Sequence, residues 1–103
     1  MPSHRVLYAG ADACLPARIR DGLGGLDCFV VSAPANIART FLQSDIKYSL
    51  LLFDETAEGV ELQRFARSLP HREHTPVILV KKSGGLGTLL DAVRRRLGTP
   101  RVP

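Results

Sequence analysis

Short, continuous apolar runs alternate along the chain with stretches in which apolar residues recur every three or four positions. The runs are Val6-Leu7-Tyr8-Ala9, Phe29-Val30-Val31, Leu50-Leu51-Leu52-Phe53 and Val77-Ile78-Leu79-Val80. Runs of this length without polar interruption suit strands buried on both faces of a parallel sheet. Leu50–Phe53 is the most apolar and reads as the central strand, ended by Asp54. Phe29–Val31 is shorter and reads as an edge strand. Pro76 falls at the first position of the fourth run, where a proline removes no ladder bond.

The intervening stretches carry helical spacing. Leu15, Ile19 and Leu23 lie four apart, with Pro16 early enough for a first helical turn and Gly22, Gly24 and Gly25 placed to end it. Ser32-Ala33-Pro34 turns the chain, and Ala35 or Asn36 opens a helix with Ala38, Phe41 and Leu42 facing inward. After Asp54 the pattern puts Gly59 in a short loop, followed by a helix on Leu62, Phe65, Ala66 and Leu69. Lys81 to Gly85 break the chain before a last helix on Leu86, Leu90, Val93 and Leu97, with Asp91, Arg94 and Arg95 off its stripe. The tail, residues 98–103, is expected to fray.

Strands alternating with helices predict an α/β fold: a doubly wound parallel sheet, covered on both faces, with four strands in the order 2-1-3-4 and right-handed crossovers. In such sheets ligand chemistry gathers beyond the carboxyl ends of the strands, around the switch point between strands 1 and 3. That rule selects Gly10, Ala11, Asp12, Ser32, Asp54, Glu55, Thr56, Lys81, Lys82 and Ser83.

Composition narrows the picture without overturning it. At 103 residues, 45% hydrophobic and 23% charged, the chain has room for one domain, spanning 1–103 with its core over about 4–97. No apolar run approaches the ~20 residues a membrane-spanning helix needs, and the first residues lack the regions of a signal peptide, so a cytoplasmic protein is expected. A net charge of +4, with two tyrosines, four phenylalanines and no tryptophan, gives no basic stripe interleaved with aromatics, and nucleic acid is not an expected partner. Arg94 to Arg96 are expected to complement the dipole at the end of the last helix. Cys14 and Cys28 fall at opposite ends of the sheet and read as small, reduced thiols.

Two local patterns invite chemistry. Lys81-Lys82-Ser83-Gly84-Gly85, continuing to Gly87, joins a strand to a helix start through a glycine-rich turn, a geometry attractive to anions. Its lysines precede its glycines, so it is neither a Walker loop nor a dinucleotide fingerprint. His71 and His74 are spaced H-x-x-H, with His4 also near the amino ends of strands, and read as a solvated loop rather than a metal site.

Tyr48-Ser-Leu-Leu-Leu-Phe-Asp54 resembles the third strand of response-regulator receiver domains, which ends in the phosphate-accepting aspartate. Thr75-Pro-Val-Ile-Leu-Val80 resembles the fourth, where a Thr-Pro opening is usual. The rhythm of residues 5 to 97 is similar to the same family and implies a flavodoxin/CheY-like fold. Carried over by residue, Asp54 corresponds to the phospho-acceptor, and Asp12 with Asp54 to a weakened magnesium site. The acidic pair that receivers place after strand 1 is replaced by Gly10 and Ala11. The Ser or Thr after strand 4 is replaced by Lys81. The fourth helix and fifth strand are either deleted or merged into Val77–Ser83, in which case Lys81 or Lys82 stands near the family's phosphate-pairing lysine.

The resemblance implies a stand-alone pseudo-receiver, not an enzyme, without a cofactor beyond weak magnesium, that works by protein–protein interaction with phosphorylation at Asp54 lost or vestigial. Alternatives are a module binding a phosphorylated ligand or nucleotide over Lys81–Gly87, and a working phospho-acceptor. The loss of the fifth strand would leave strand 4 at the sheet edge, where a protein partner or a second copy would dock through Val77, Leu79, Val80 and Leu89.

Overall fold

The computed structural model describes residues 4–23, 28–81 and 84–97. Along them run β1 (His4–Ala9), α1 (Leu15–Gly22), β2 (Cys28–Ala33), α2 (Ala35–Gln43), β3 (Leu50–Asp54), α3 (Ala57–Ser68), β4 (Val77–Val80) and α4 (Leu86–Leu97). The strands form one parallel sheet in the order β2-β1-β3-β4. This is the order expected from the alternation of strands and helices, and the arrangement is flavodoxin/CheY-like. Gly24, Gly25, Lys82, Ser83 and the tail 98–103 lie outside the described residues.

The two-residue period of a strand divides the core into two layers. Val6, Tyr8, Leu50 and Leu52 face α1 and α4, joined by Ile78 and Val80 of β4. Leu7, Ala9, Leu51 and Phe53 face α2 and α3, joined by Val77 and Leu79. A chain that steps from β1 to β2 in one direction and from β2 through β4 in the other places α1 opposite α2 and α3 when its crossovers are right-handed. Every residue of Val6–Ala9 and Leu50–Phe53 is at most 1% exposed, and each buried aliphatic side chain there contributes roughly 1.5–3 kcal/mol.

The helix termini depart from the sequence reading in instructive ways. Gly22 is the last residue of α1 rather than a residue beyond it. A side chain there would overlap Leu90 of α4, and Arg94 donates to the Gly22 carbonyl at 2.6 Å. Arg94 thus caps α1 instead of simply facing the end of its own helix. Gly59 is not in a loop: it is a buried residue in the first turn of α3, its amide donating to Thr56 Oγ1 at 3.1 Å. A Cβ at 59 would run into the Asp54 carbonyl oxygen, so glycine here serves close approach, not chain breaking.

The carboxyl end of α2 is closed from a distance. Arg72, 3% exposed, donates through Nε to the Leu42 carbonyl at 3.0 Å and through Nη2 to those of Ser44 at 2.9 Å and Phe41 at 3.4 Å. Its guanidinium lies 4.9 Å from the centre of the Tyr48 ring. These are carbonyls a helix leaves without intrahelical partners, and a buried cation near the negative end of the helix dipole is well placed.

The last helix is thinly covered. Of its expected stripe only Val93 is buried; Leu90 and Leu97 are half-buried and Leu86 is 37% exposed. No helix of the described residues is long and apolar enough to cross a membrane.

Candidate functional site

Tyr8 is the one polar-tipped residue in the otherwise aliphatic run of β1, and the fold leaves it no exposed surface. A buried phenol needs a partner for its hydroxyl. The parallel register sets β3 beside β1, Tyr8 against Leu52 and Ala9 against Phe53, so Asp54 emerges just beyond the carboxyl end of β1. Tyr8 donates its hydroxyl proton to Asp54 Oδ1 at 2.7 Å. The Ala11 amide donates to Asp54 Oδ2 at 3.0 Å. The Tyr8 oxygen in turn accepts from the Asp12 amide at 3.2 Å, and Asp12 Oδ1 accepts from the Cys14 amide at 2.9 Å, turning the chain into α1.

Gly10 makes this arrangement possible. A Cβ at that position would overlap the Tyr8 hydroxyl and the Asp54 carboxyl group. The missing side chain at position 10 is what lets the aspartate fold back onto β1. In the sequence Gly10 looks like the loss of an acidic ligand and Tyr8 like apolar filling; the hydroxyl in an aliphatic strand is the available signal.

Burial, followed by the hydrogen bond to the Asp54 carboxylate, holds the Tyr8 phenol above its ordinary value of 10.0, while the Asp12 amide opposes the shift. Burial raises Tyr48 as well, against the Arg72 guanidinium. A phenol whose folded-state value exceeds its unfolded value contributes stability that is intact below about pH 10 and is lost as pH rises toward the folded value. Denaturant unfolding is therefore expected to show stability falling above about pH 10. Tyr8→Phe should flatten that decline while lowering neutral-pH stability by about 1 kcal/mol, the net worth of a hydrogen bond. An unchanged alkaline slope in the phenylalanine variant would contradict the assignment.

The residues selected beyond the strand ends do converge. Asp12, Asp54, Glu55, Thr56 and Lys81 line a cleft of about 600 Å³ between α1 and α4, with Gly84, Gly85 and Thr88 at its far side. Its apolar wall is Leu15, Ile78, Val80 and Leu89. Ser32 stands apart, exposed near the end of β2. Lys82 and Ser83 of the expected anion turn lie outside the described residues. The ion pairs among the described residues are Arg39–Glu61, His74–Glu73 and Arg94–Asp91; none joins Asp54 to Lys81, the local pairing that would have been the simplest fate of the aspartate.

A divalent cation of the magnesium kind wants several oxygen ligands in near-octahedral geometry. Here both Asp54 oxygens face donors of the chain itself, Asp12 Oδ1 is spent on the Cys14 amide, and positions 10 and 11 carry no ligand. Among the described residues no three carboxylate, imidazole or thiol groups converge. The histidines lie elsewhere: His4 opens β1, His74 sits 3.4 Å from Glu73, and the His71 ring is turned to the Leu42 and Ser44 carbonyls at the end of α2.

Comparison with known protein families and with curated proteins finds no match to this chain.

Proposed function

We propose that the chain is a pseudo-receiver, a cytoplasmic signalling module that acts by docking to protein rather than by accepting a phosphoryl group. The observation that supports this most is the double engagement of Asp54, with the Tyr8 hydroxyl on one oxygen and the Ala11 amide on the other. A phospho-acceptor needs a free carboxylate oxygen as nucleophile and a cation to draw charge from the transferred group. In this chain the carboxylate instead ties the ends of β1 and β3 together, a structural use of the same residue type at the same place in the fold.

The test is incubation with acetyl phosphate and magnesium, read by intact mass, beside a beryllofluoride thermal shift. No phosphoryl adduct and no change in melting temperature are expected, and magnesium titration should leave the Asp12 and Asp54 NMR signals unmoved below several millimolar. Asp54→Asn should fold and keep its binding partner. A stoichiometric adduct that Asp54→Asn abolishes would establish the phospho-acceptor and overturn the reading.

One observation favours a second reading. The cleft beside Asp54 reaches Lys81 and the start of α4, and its size falls in the ordinary range for small-ligand pockets. A phosphorylated small molecule or nucleotide held there would raise the melting temperature, by about 2.7 kcal/mol of stability at a hundredfold excess over its Kd. A nucleotide panel in the same thermal-shift format distinguishes it from the docking module.

A further inference from the structure

At the end of the sheet opposite Asp54, two buried side chains hold donors that the chain does not use. Tyr48 and Thr75 lie just ahead of β3 and β4 and, with Asp45, Lys47, His71 and Arg72, line a cleft of about 460 Å³. A guanidinium carries five N–H donors. Arg72 spends Nε and Nη2 on the carbonyls that end α2, and its Nη1 has no acceptor among the described residues. Nor has the Tyr48 hydroxyl, although that residue is only 7% exposed.

Buried polar groups normally find a partner. Among the described residues no side-chain nitrogen or oxygen is both fully enclosed and unpartnered. Nη1 and the Tyr48 hydroxyl therefore open to the surface, and the cleft is the surface that the two residues share. The guanidinium stands 4.9 Å from the centre of the Tyr48 ring, so burial and stacking fix the two donors beside each other. Donors ordered in advance add little entropy cost to binding.

We propose that this cleft binds a small hydroxylated monocarboxylate, of the sugar-acid or hydroxy-acid class. A carboxylate only accepts, and it meets Nη1 of Arg72, the Tyr48 hydroxyl and the Lys47 ammonium as charge-assisted bonds. Charge sets the valence: counting His71 as neutral, Lys47 and Arg72 against Asp45 leave one positive charge on the walls, which balances a monoanion and not a phosphate dianion. The remaining lining sets the body of the ligand. No aliphatic side chain lines the cleft among the described residues, whereas Asp45 and Thr75 offer acceptors for ligand hydroxyls. The cleft beside Asp54, walled by Leu15, Ile78, Val80 and Leu89, has the opposite character. The inference is independent of the fate of Asp54.

Amide NMR during titration with gluconate is expected to show saturable shifts at Lys47, Tyr48 and Thr75 in the millimolar range, with Asp12, Asp54 and Lys81 unmoved. Sorbitol, which lacks the carboxylate, hexanoate, which lacks the hydroxyls, and inorganic phosphate should each bind about tenfold more weakly or not at all. Tyr48→Phe keeps the ring against the guanidinium and removes only the hydroxyl, and it should weaken gluconate about tenfold. Lys47→Gln, at an exposed position, should do the same without touching the core. Arg72 is left intact because its other donors hold α2. Absence of saturable shifts up to tens of millimolar gluconate overturns the proposal. So does sorbitol, hexanoate or phosphate binding as tightly as gluconate, or unchanged affinity in both variants.

Discussion

Replacing Arg72 with methionine is expected to lower the stability of the protein by about 3–4 kcal/mol, a large share of what a domain of this size possesses. The side chain is 3% exposed and its guanidinium serves three carbonyls at the end of α2 while lying over the Tyr48 ring. Hydrogen bonds to a charged donor contribute about 1.5–3 kcal/mol, and orphaned buried acceptors add their own desolvation cost. His71 also reaches the Leu42 and Ser44 carbonyls, which limits the loss. Arg72→Lys should recover little, because an ammonium lacks the planar fork that meets three acceptors at once. Denaturant titration measures both variants; a methionine variant within 1 kcal/mol of the parent would refute this role.

Gly59→Ala separates two physical effects that act in opposite directions. Helix propensity alone favours alanine by up to about 1 kcal/mol. The close approach of Gly59 to the Asp54 carbonyl opposes it, since an added Cβ would occupy the space of that oxygen. The neighbour is backbone, held by the Thr56 amide at 2.8 Å and by its place at the end of β3, so relief requires moving α3 against the sheet. Overpacking of this kind costs about 1–3 kcal/mol. A net loss of about 2 kcal/mol is expected, a fall of roughly 8–16 °C in melting temperature. A neutral or stabilised variant would show that propensity prevails and that α3 is free to shift.

These two residues mark the limit of what the sequence discloses. The apolar runs give the strands, and alternation with helical spacing gives their parallel order, because strand burial is written locally in side-chain period. The cluster at the carboxyl ends of β1, β3 and β4 follows from topology once the strands are placed. Arg72 was illegible because its partners are carbonyls some thirty positions earlier, and any side chain at Leu42 would offer the same backbone oxygen. Gly59 was misread because a glycine serving close approach and a glycine breaking a helix look alike in one dimension. Tyr8 lay between these cases: its hydroxyl demanded a partner, but nothing local said that Asp54 would supply it.

The thin burial of α4 bears on how the molecule opens. With Val93 alone fully covered, and contact to α1 through Leu90 and the Arg94 bond to Gly22, this helix has far less holding it than β1 or β3. Cooperative units of a native protein open at free energies set by their own buried contacts. The helix α4 is therefore expected to open at a lower free energy than the central strands, which would remain paired. Lifting it bares Ile78 and Val80 from one side without disturbing α2 or α3. Native-state amide exchange is therefore expected to release the amides of α4 well before those of β1 and β3, and equal protection of the three would show that α4 opens only with the whole sheet.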